Sequence, residues 1–235
     1  MIGSESSRAL DAGLLATRET LARWSTRPGP VVIRWLAGAA LAAALLLVGT
    51  LLVAELGPVD RSIALDVPPV SQGDPAYVLT ILGHNLLVLA LHVMACVAGF
   101  IAGSSVPAAA ADLGRVARAV HRGGARLAIG FVMLATTFSL ANQIWDLGTA
   151  AASVATQLHA SPALLLLVLL PHAAPELVAL FLPLAAWVLA SRRGAWSELL
   201  AAAAVTTVIA VPILVVAASW ETYGAPRLIA LVTGG

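Results

Sequence analysis

Long unbroken apolar runs, each about as long as a bilayer is thick, constrain this chain more than any other feature. They occupy residues 34–54, 78–101, 127–144, 162–190 and 196–220. A hydrocarbon core of ~30 Å takes roughly 20 apolar residues per helix, and runs of this length cannot all be interior helices of a soluble domain of 235 residues. With 60% of residues hydrophobic and 11% charged, the chain is expected to be an all-α, polytopic membrane helix bundle with about five transmembrane helices. A water-soluble enzyme is excluded. A secretory signal is not expected, because the first run starts only near Val31 and ends in VAELGP, without a small-x-small cleavage pattern.

The segments between the runs sort by charge. Arg8, Arg18, Arg23, Arg27 and Arg34 precede the first run or open it, Arg115, Arg118, Arg122 and Arg126 separate the second from the third, and Arg192 and Arg193 separate the fourth from the fifth. Residues 55–77 carry Glu55, Asp60, Asp66 and Asp74 against Arg61, and 146–161 hold no Arg. Positive charge stays on the cytoplasmic side, so the N-terminus is expected inside and the C-terminus outside.

Residues 1–30 read as a cytoplasmic amphipathic segment and 31–235 as one transmembrane domain. Leu10, Leu14, Leu21 and Trp24 recur at helical spacing until RPGP at 27–30 stops the pattern, as in a helix lying on the inner leaflet. In 112–126, Arg115, Arg118, Arg122 and Arg126 recur every three or four positions, which gives one basic face for anionic lipid headgroups; the plainer reading is an anchor that sets orientation. The Pro, Gly and Asp rich loop 57–75 is too short of apolar residues to form a domain. Gly99 and Gly103 are a small-xxx-small pair, read as a packing device. Cys96 is alone and cannot form an internal disulfide. No phosphate loop, nucleophile elbow or nucleic-acid surface is present.

The fourth run holds LLPHAAPEL at 169–177, an imidazole and a carboxylate among apolar residues. Pro171 and Pro175 cannot donate to the carbonyls of Leu167 and Pro171, and each disfavours helical angles before it. A kinked or broken helix is therefore expected, its first half capped by Ser161 with Pro162 at the first helical position. On a merely kinked helix His172 and Glu176 share a face. A charged group at this depth costs ~3 kcal/mol on insertion scales, so such groups need partners. His84, Asn85, His92, Asn142, Gln143 and Glu221 lie in or beside the other runs. His172 falls roughly 15 Å below the start of its run by helical rise, so it meets Glu221 only if the fourth helix is displaced outward or broken. The intramembrane polar site is expected from His172, Glu176, Asn85, Glu221 and His84. A neutral His bonded to a partnered Glu that merely holds helices together is an equally weighted reading.

His84, His172, Glu176 and Glu221 are zinc ligands by type, but no HExxH or paired CxxC spacing accompanies them. No cofactor is expected, and a zinc-dependent intramembrane hydrolase is the least favoured alternative.

PHAAPELVAL, with Pro171, His172, Glu176 and Ala179, AASWETYGAPRL, with Glu221, Tyr223 and Pro226, and ILGHNLLVLAL, with Asn85, together resemble three blocks of the stage II sporulation protein M family. Ala173 stands where that family usually has Gly, Pro175 is an added break, and His84 stands where relatives often have Asn. The resemblance implies a multi-pass protein of the cytoplasmic membrane of a bacterium or archaeon. It implies a non-enzymatic scaffold or regulator of a cell-envelope complex, with peptidoglycan-remodelling proteins as partners. Membrane lipids, other envelope proteins and a homo-oligomer are the partners expected, and nucleic acid is not. The alternative, drawn from the proline-interrupted run and its ionisable residues, is a transporter or permease-like subunit.

Overall fold

The computed structural model describes residues 2–59, 74–105 and 115–233 and, within them, side chains outside 2–12, 104–126, 128–129 and 232–233. All the regular structure among them is helical: α1 (Ile2–Thr26), α2 (Gly29–Leu56), α3 (Pro75–Phe100) continued by a π-helical turn (Ile101–Ser105), α4 (Arg115–Gln157), α5 (Pro162–Arg193), a 3₁₀ turn (Trp196–Glu198), α6 (Leu199–Tyr223) and α7 (Ala225–Thr233). Four segments are long and apolar enough to cross a membrane: Gly29–Leu56, Pro75–Gly103, Pro162–Arg193 and Trp196–Tyr223. The described residues therefore form a helical membrane bundle. The fifth run, 127–144, lies within α4 and is not among these four.

Element ends follow from local chemistry. α1 stops at Thr26, just before RPGP, and α2 starts at Gly29. Asp74 caps α3 by accepting from the Ala76 amide at 2.8 Å, and Ser161 caps α5 by accepting from Leu164 at 3.2 Å, as its place before Pro162 predicts. α4 ends with His159 at φ 52°. There the Ala160 amide donates to the Ala155 carbonyl at 2.9 Å and the His159 amide to Thr156 at 3.2 Å, the paired bonds of a left-handed helix cap. Gly194, at φ 68°, closes α5 in the same way, with Ala195 donating to Ala190 at 2.9 Å.

Of the two alternatives expected for the proline-bearing run, a kink or a break, the structure removes one. α5 is not broken: one helix runs from Pro162 to Arg193 through Pro171 and Pro175. The two prolines stand four apart on one exposed edge, so the missing amides affect a single ribbon of carbonyls while the bonds around the rest of the helix persist. α6 likewise carries Pro212 inside it. Residues 146–157, beyond the run at 127–144, are helical as well, because α4 continues to Gln157. Its hydroxyls fold back onto the helix: Ser153 donates to the Thr149 carbonyl at 2.8 Å and Thr156 to Ala152 at 2.8 Å, which satisfies them without a loop. At 43 residues a straight α4 is roughly 65 Å long at ~1.5 Å per residue, well beyond a ~30 Å core. Its backbone takes in Arg115, Arg118, Arg122 and Arg126, whose side chains fall outside the described residues. Most of the 57–75 loop falls outside them too.

The chain divides into two compact units. The first comprises Met1–Ala39, Leu89–Thr136 and Leu180–Ile209. In it the buried edge of α1 faces protein. A Cβ on Gly13 would lie 3.0 Å from the Phe100 ring, Thr20 is buried, the Trp24 and Trp35 rings meet edge to face at 5.1 Å, and Arg23 pairs with Glu198 at 3.3 Å. Leu14 and Leu15 remain exposed on α1. Gly99 and Gly103 receive indoles: a Cβ on Gly99 would fall 2.6 Å from Trp187 Nε1, and one on Gly103 would collide with the Trp196 ring. Deeper in the unit, Cys96 Sγ donates to the Pro183 carbonyl at 3.3 Å.

The second unit comprises Ala40–Val88, Thr137–Ala179 and Ala210–Gly235. Small residues bring its backbones together. Ala54 of α2, Ala151, Ala152 and Ala155 of α4, and Leu165 of α5 form one buried cluster, and Gly49 and Gly148 admit Ile144 and Val53. A Cβ on Gly148 would sit 2.5 Å from Val53. Without a hydrophobic drive between helices in lipid, this close approach is what yields van der Waals attraction. Gly148→Ala is therefore expected to destabilise the protein by about 1–3 kcal/mol, whereas Gly83→Ala, with nothing within 4 Å, leaves stability unchanged or slightly raised. Thermal unfolding of the two variants in the same detergent checks this.

A candidate intramembrane polar site

All five residues expected at the polar site belong to the second unit: His84 and Asn85 on α3, His172 and Glu176 on α5, and Glu221 in the last turn of α6. They do not all turn inward. Asn85 is 5% exposed and His172 7% exposed, Glu176 and Glu221 are half-buried, and His84 is exposed. On α3 Asn85 and Leu89 face the interior while Leu87 and Leu91 face out, and one residue's rotation of about 100° is enough to separate His84 from Asn85.

Glu176 is the centre of what converges. Two side chains act on its carboxylate: the Asn85 amide, directed at it as a donor, and Glu221, close enough to act as a like charge. The Asn85 Nδ2 approaches the carboxylate without closing full hydrogen-bond geometry, and it has no other partner in its buried position. His172 lies one turn before Glu176 on the same face. Its Nδ1 is buried and without a partner, and the carboxylates do not reach it. The side chains that converge are thus Asn85, Glu176 and Glu221, drawn from three helices, with His172 one turn from Glu176 and His84 turned outward.

Glu221 and Glu176 come within range of each other although α5 is unbroken. Trp220, one residue before Glu221, lines the same groove as Pro171 and Pro175. The end of α6 therefore lies beside the middle of α5 rather than beside its start at Pro162. Residues 162–170, roughly 14 Å of helix, extend past it. Leu165 there packs instead on Ala54 and on Ala151, Ala152 and Ala155, so the helix is displaced lengthwise. The groove, about 320 Å³, is bounded by Pro171, Pro175, Pro212, Ile213, Val216, Ala217 and Trp220 and is apolar; Glu176 and Glu221 do not line it. Pro212 is a lining residue that the sequence reading passed over. Its position near the middle of an apolar run was the available signal.

The remaining candidates separate from this site. His92 belongs to the first unit, where its ring hydrogen bonds to the Leu180 backbone and meets Phe181 at 5.8 Å. Asn142 is exposed on α4. Among the described residues no three His, Cys, Asp or Glu side chains come together as a metal centre requires, so His84, His172, Glu176 and Glu221 do not form a four-ligand zinc site of the kind their residue types suggest.

Compared with known proteins, the chain matches no family model, no curated protein and no solved structure.

A double-mutant cycle tests the convergence. Asn85→Ala and Glu176→Ala are expected to couple by on the order of 0.6–1.7 kcal/mol, the range of interhelical polar pairs in membranes. His84→Ala with Glu176→Ala is expected to be additive. Unfolding free energies of the single and double variants in one detergent or bicelle system provide the readout.

Proposed function

We propose that the protein is a non-enzymatic scaffold or regulator in the cytoplasmic membrane of a bacterium or archaeon, similar in role to the stage II sporulation protein M family and acting on a cell-envelope complex that remodels peptidoglycan. The observation that carries this reading is the meeting of Asn85, Glu176 and Glu221 in one unit. Each comes from a different one of the three sequence blocks on which the resemblance rests, and residues far apart in sequence have no reason of local chemistry to meet. A polar cluster drawn from three helices, with an apolar groove on α5 and α6, suits a protein whose work is to position others.

The finer topology belongs to the same reading. With α4 crossing the membrane at 127–144 the chain has five spans, its N-terminus inside and its C-terminus outside. Arg115, Arg118, Arg122 and Arg126 then meet anionic headgroups at the inner surface, where each contributes ~1 kcal/mol of attraction. Partners dock on the outer loops or on the basic inner surface.

A second reading, a transporter or permease-like subunit, is favoured by the paired carboxylates among membrane-spanning helices. Affinity purification of the full chain from its native membrane in mild detergent distinguishes the two. The scaffold reading expects stoichiometric recovery of envelope proteins that include a peptidoglycan-active one. A chain recovered alone, which in proteoliposomes carries a proton or solute flux abolished by Glu176→Gln, sinks it in favour of transport.

A further inference from the structure

Glu176 and Glu221 pose a charge problem that the neighbouring side chains leave unsolved. Two like charges acting on each other among apolar helices are unfavourable twice over, through lost hydration and through repulsion. Of the groups packed around Glu176, α3 contributes neutral Asn85 and α6 contributes Glu221, while α5 itself adds His172, which the carboxylates do not reach. The other ionisable Asp, Glu, His and Arg side chains described in this unit, Glu55, Asp74, His84, Asp146, His159 and Arg227, are all exposed. No cationic side chain described in this unit answers the pair.

A second observation points to a ligand. Buried polar atoms are paired in the large majority of cases, and an unpaired one in a low-dielectric interior is costly. Yet Asn85, 95% buried by its 5% exposure, directs its amide at Glu176 and leaves Nδ2 without a partner. His172, at 7% exposure, presents an unpartnered Nδ1 one turn away on the same face. Two unsatisfied polar groups thus stand beside a pair of carboxylates that lacks a counter-charge.

We propose that Asn85, Glu176 and Glu221 form an intramembrane binding site for one monovalent cation, a proton or an alkali metal ion. One positive charge converts a repelling pair into a bridged one, as in carboxylate pairs that share a single proton. The ligand set is oxygen-rich, which suits a hard cation rather than zinc or copper. Asn85 serves either ion, because a half-turn of its amide exchanges Nδ2 for Oδ1. It donates to a carboxylate in the protonated pair and adds a third oxygen around a metal ion. The site does not depend on the scaffold reading, since a scaffold and a transporter can both contain it.

The test is thermal unfolding of the purified full chain in detergent, at constant ionic strength, in choline, sodium and potassium chloride across a pH series. For an alkali ion, sodium or potassium raises Tm over choline at fixed pH, by on the order of 5 °C at a hundredfold excess over Kd. For the proton, the three salts superimpose and Tm falls as pH rises, because the folded state holds a proton that the unfolded chain releases. In both cases Glu176→Gln/Glu221→Gln abolishes the dependence. Asn85→Leu keeps both acids and shifts the midpoint, in cation concentration or in proton activity, about tenfold, so the proposal stays testable if the double variant does not fold. A Tm indifferent to salt and pH, or a dependence that survives in the double variant, overturns it. Co-purification of partners has no bearing on this result.

Discussion

In hydrocarbon no water is available to bond a backbone amide or carbonyl, and that constraint governs the rest of this structure. Helix is the cheapest way to satisfy every group within one segment, and the chain keeps to helix even where its sequence opposes it. Pro171 and Pro175 in α5 and Pro212 in α6 deprive the carbonyls of Leu167, Pro171 and Val208 of their usual donors. Breaking α5 would have released further carbonyls and amides on every side of it. The three prolines instead line one groove, which confines the loss to a single edge of each helix. The same constraint acts on α4, where Ser and Thr hydroxyls bond to carbonyls one turn back and carry the helix on to Gln157.

Once the helices are fixed, contact between them depends on small side chains. Leu, Ile and Val gain little by leaving lipid for another apolar surface, so attraction grows only where backbones come close. Ala54, Ala151, Ala152 and Ala155 supply that closeness in the second unit, and Gly49 and Gly148 supply it where Ile144 and Val53 must be received. In the first unit Gly99 and Gly103 accommodate two indoles. The large apolar residues turn the other way: Leu79, Leu87, Leu91 and Met94 of α3 are exposed, as lipid-facing positions should be.

This division explains what the sequence disclosed. Helix starts and stops depend on residues next to one another, and they were legible: the Ser161 cap, Pro162 at the first position and the stop at RPGP all appear where local chemistry puts them. The inward turn of Asn85 and His172 agreed with the cost of burying polar groups. Three features were not legible, for separate reasons. The continuity of α5 depends on which edge its prolines occupy, and a proline count does not show the edge. The extension of α4 past Ile144 depends on Ala151 and Ala155 meeting α2 and α5, whereas the apolar run alone ends at Ile144. The meeting of Glu176 with Glu221 depends on the lengthwise offset of α5 against α6, and periodicity fixes the faces of one helix without fixing its register against another.

Two histidines show how burial and partnership separate packing from a site. His92 and His172 have similar sequence surroundings, each an imidazole inside an apolar run, and in each the Nδ1 is buried without a partner. They differ in what else they touch. His92 spans α3 and α5 within the first unit through the Leu180 backbone and the Phe181 ring, so its ring holds two helices together at some cost in one unmet nitrogen. His172 has no aromatic neighbour or backbone bond of that kind, and it lies beside a carboxylate that already faces a second carboxylate and an unpaired amide. Helix packing accounts for His92 alone. The same explanation applied to His172 and Asn85 leaves two buried nitrogens unmet beside two half-buried carboxylates of like charge, in a medium where each unmet group is costly. A ligand that supplies the missing positive charge removes that difficulty for the acids and the amide together.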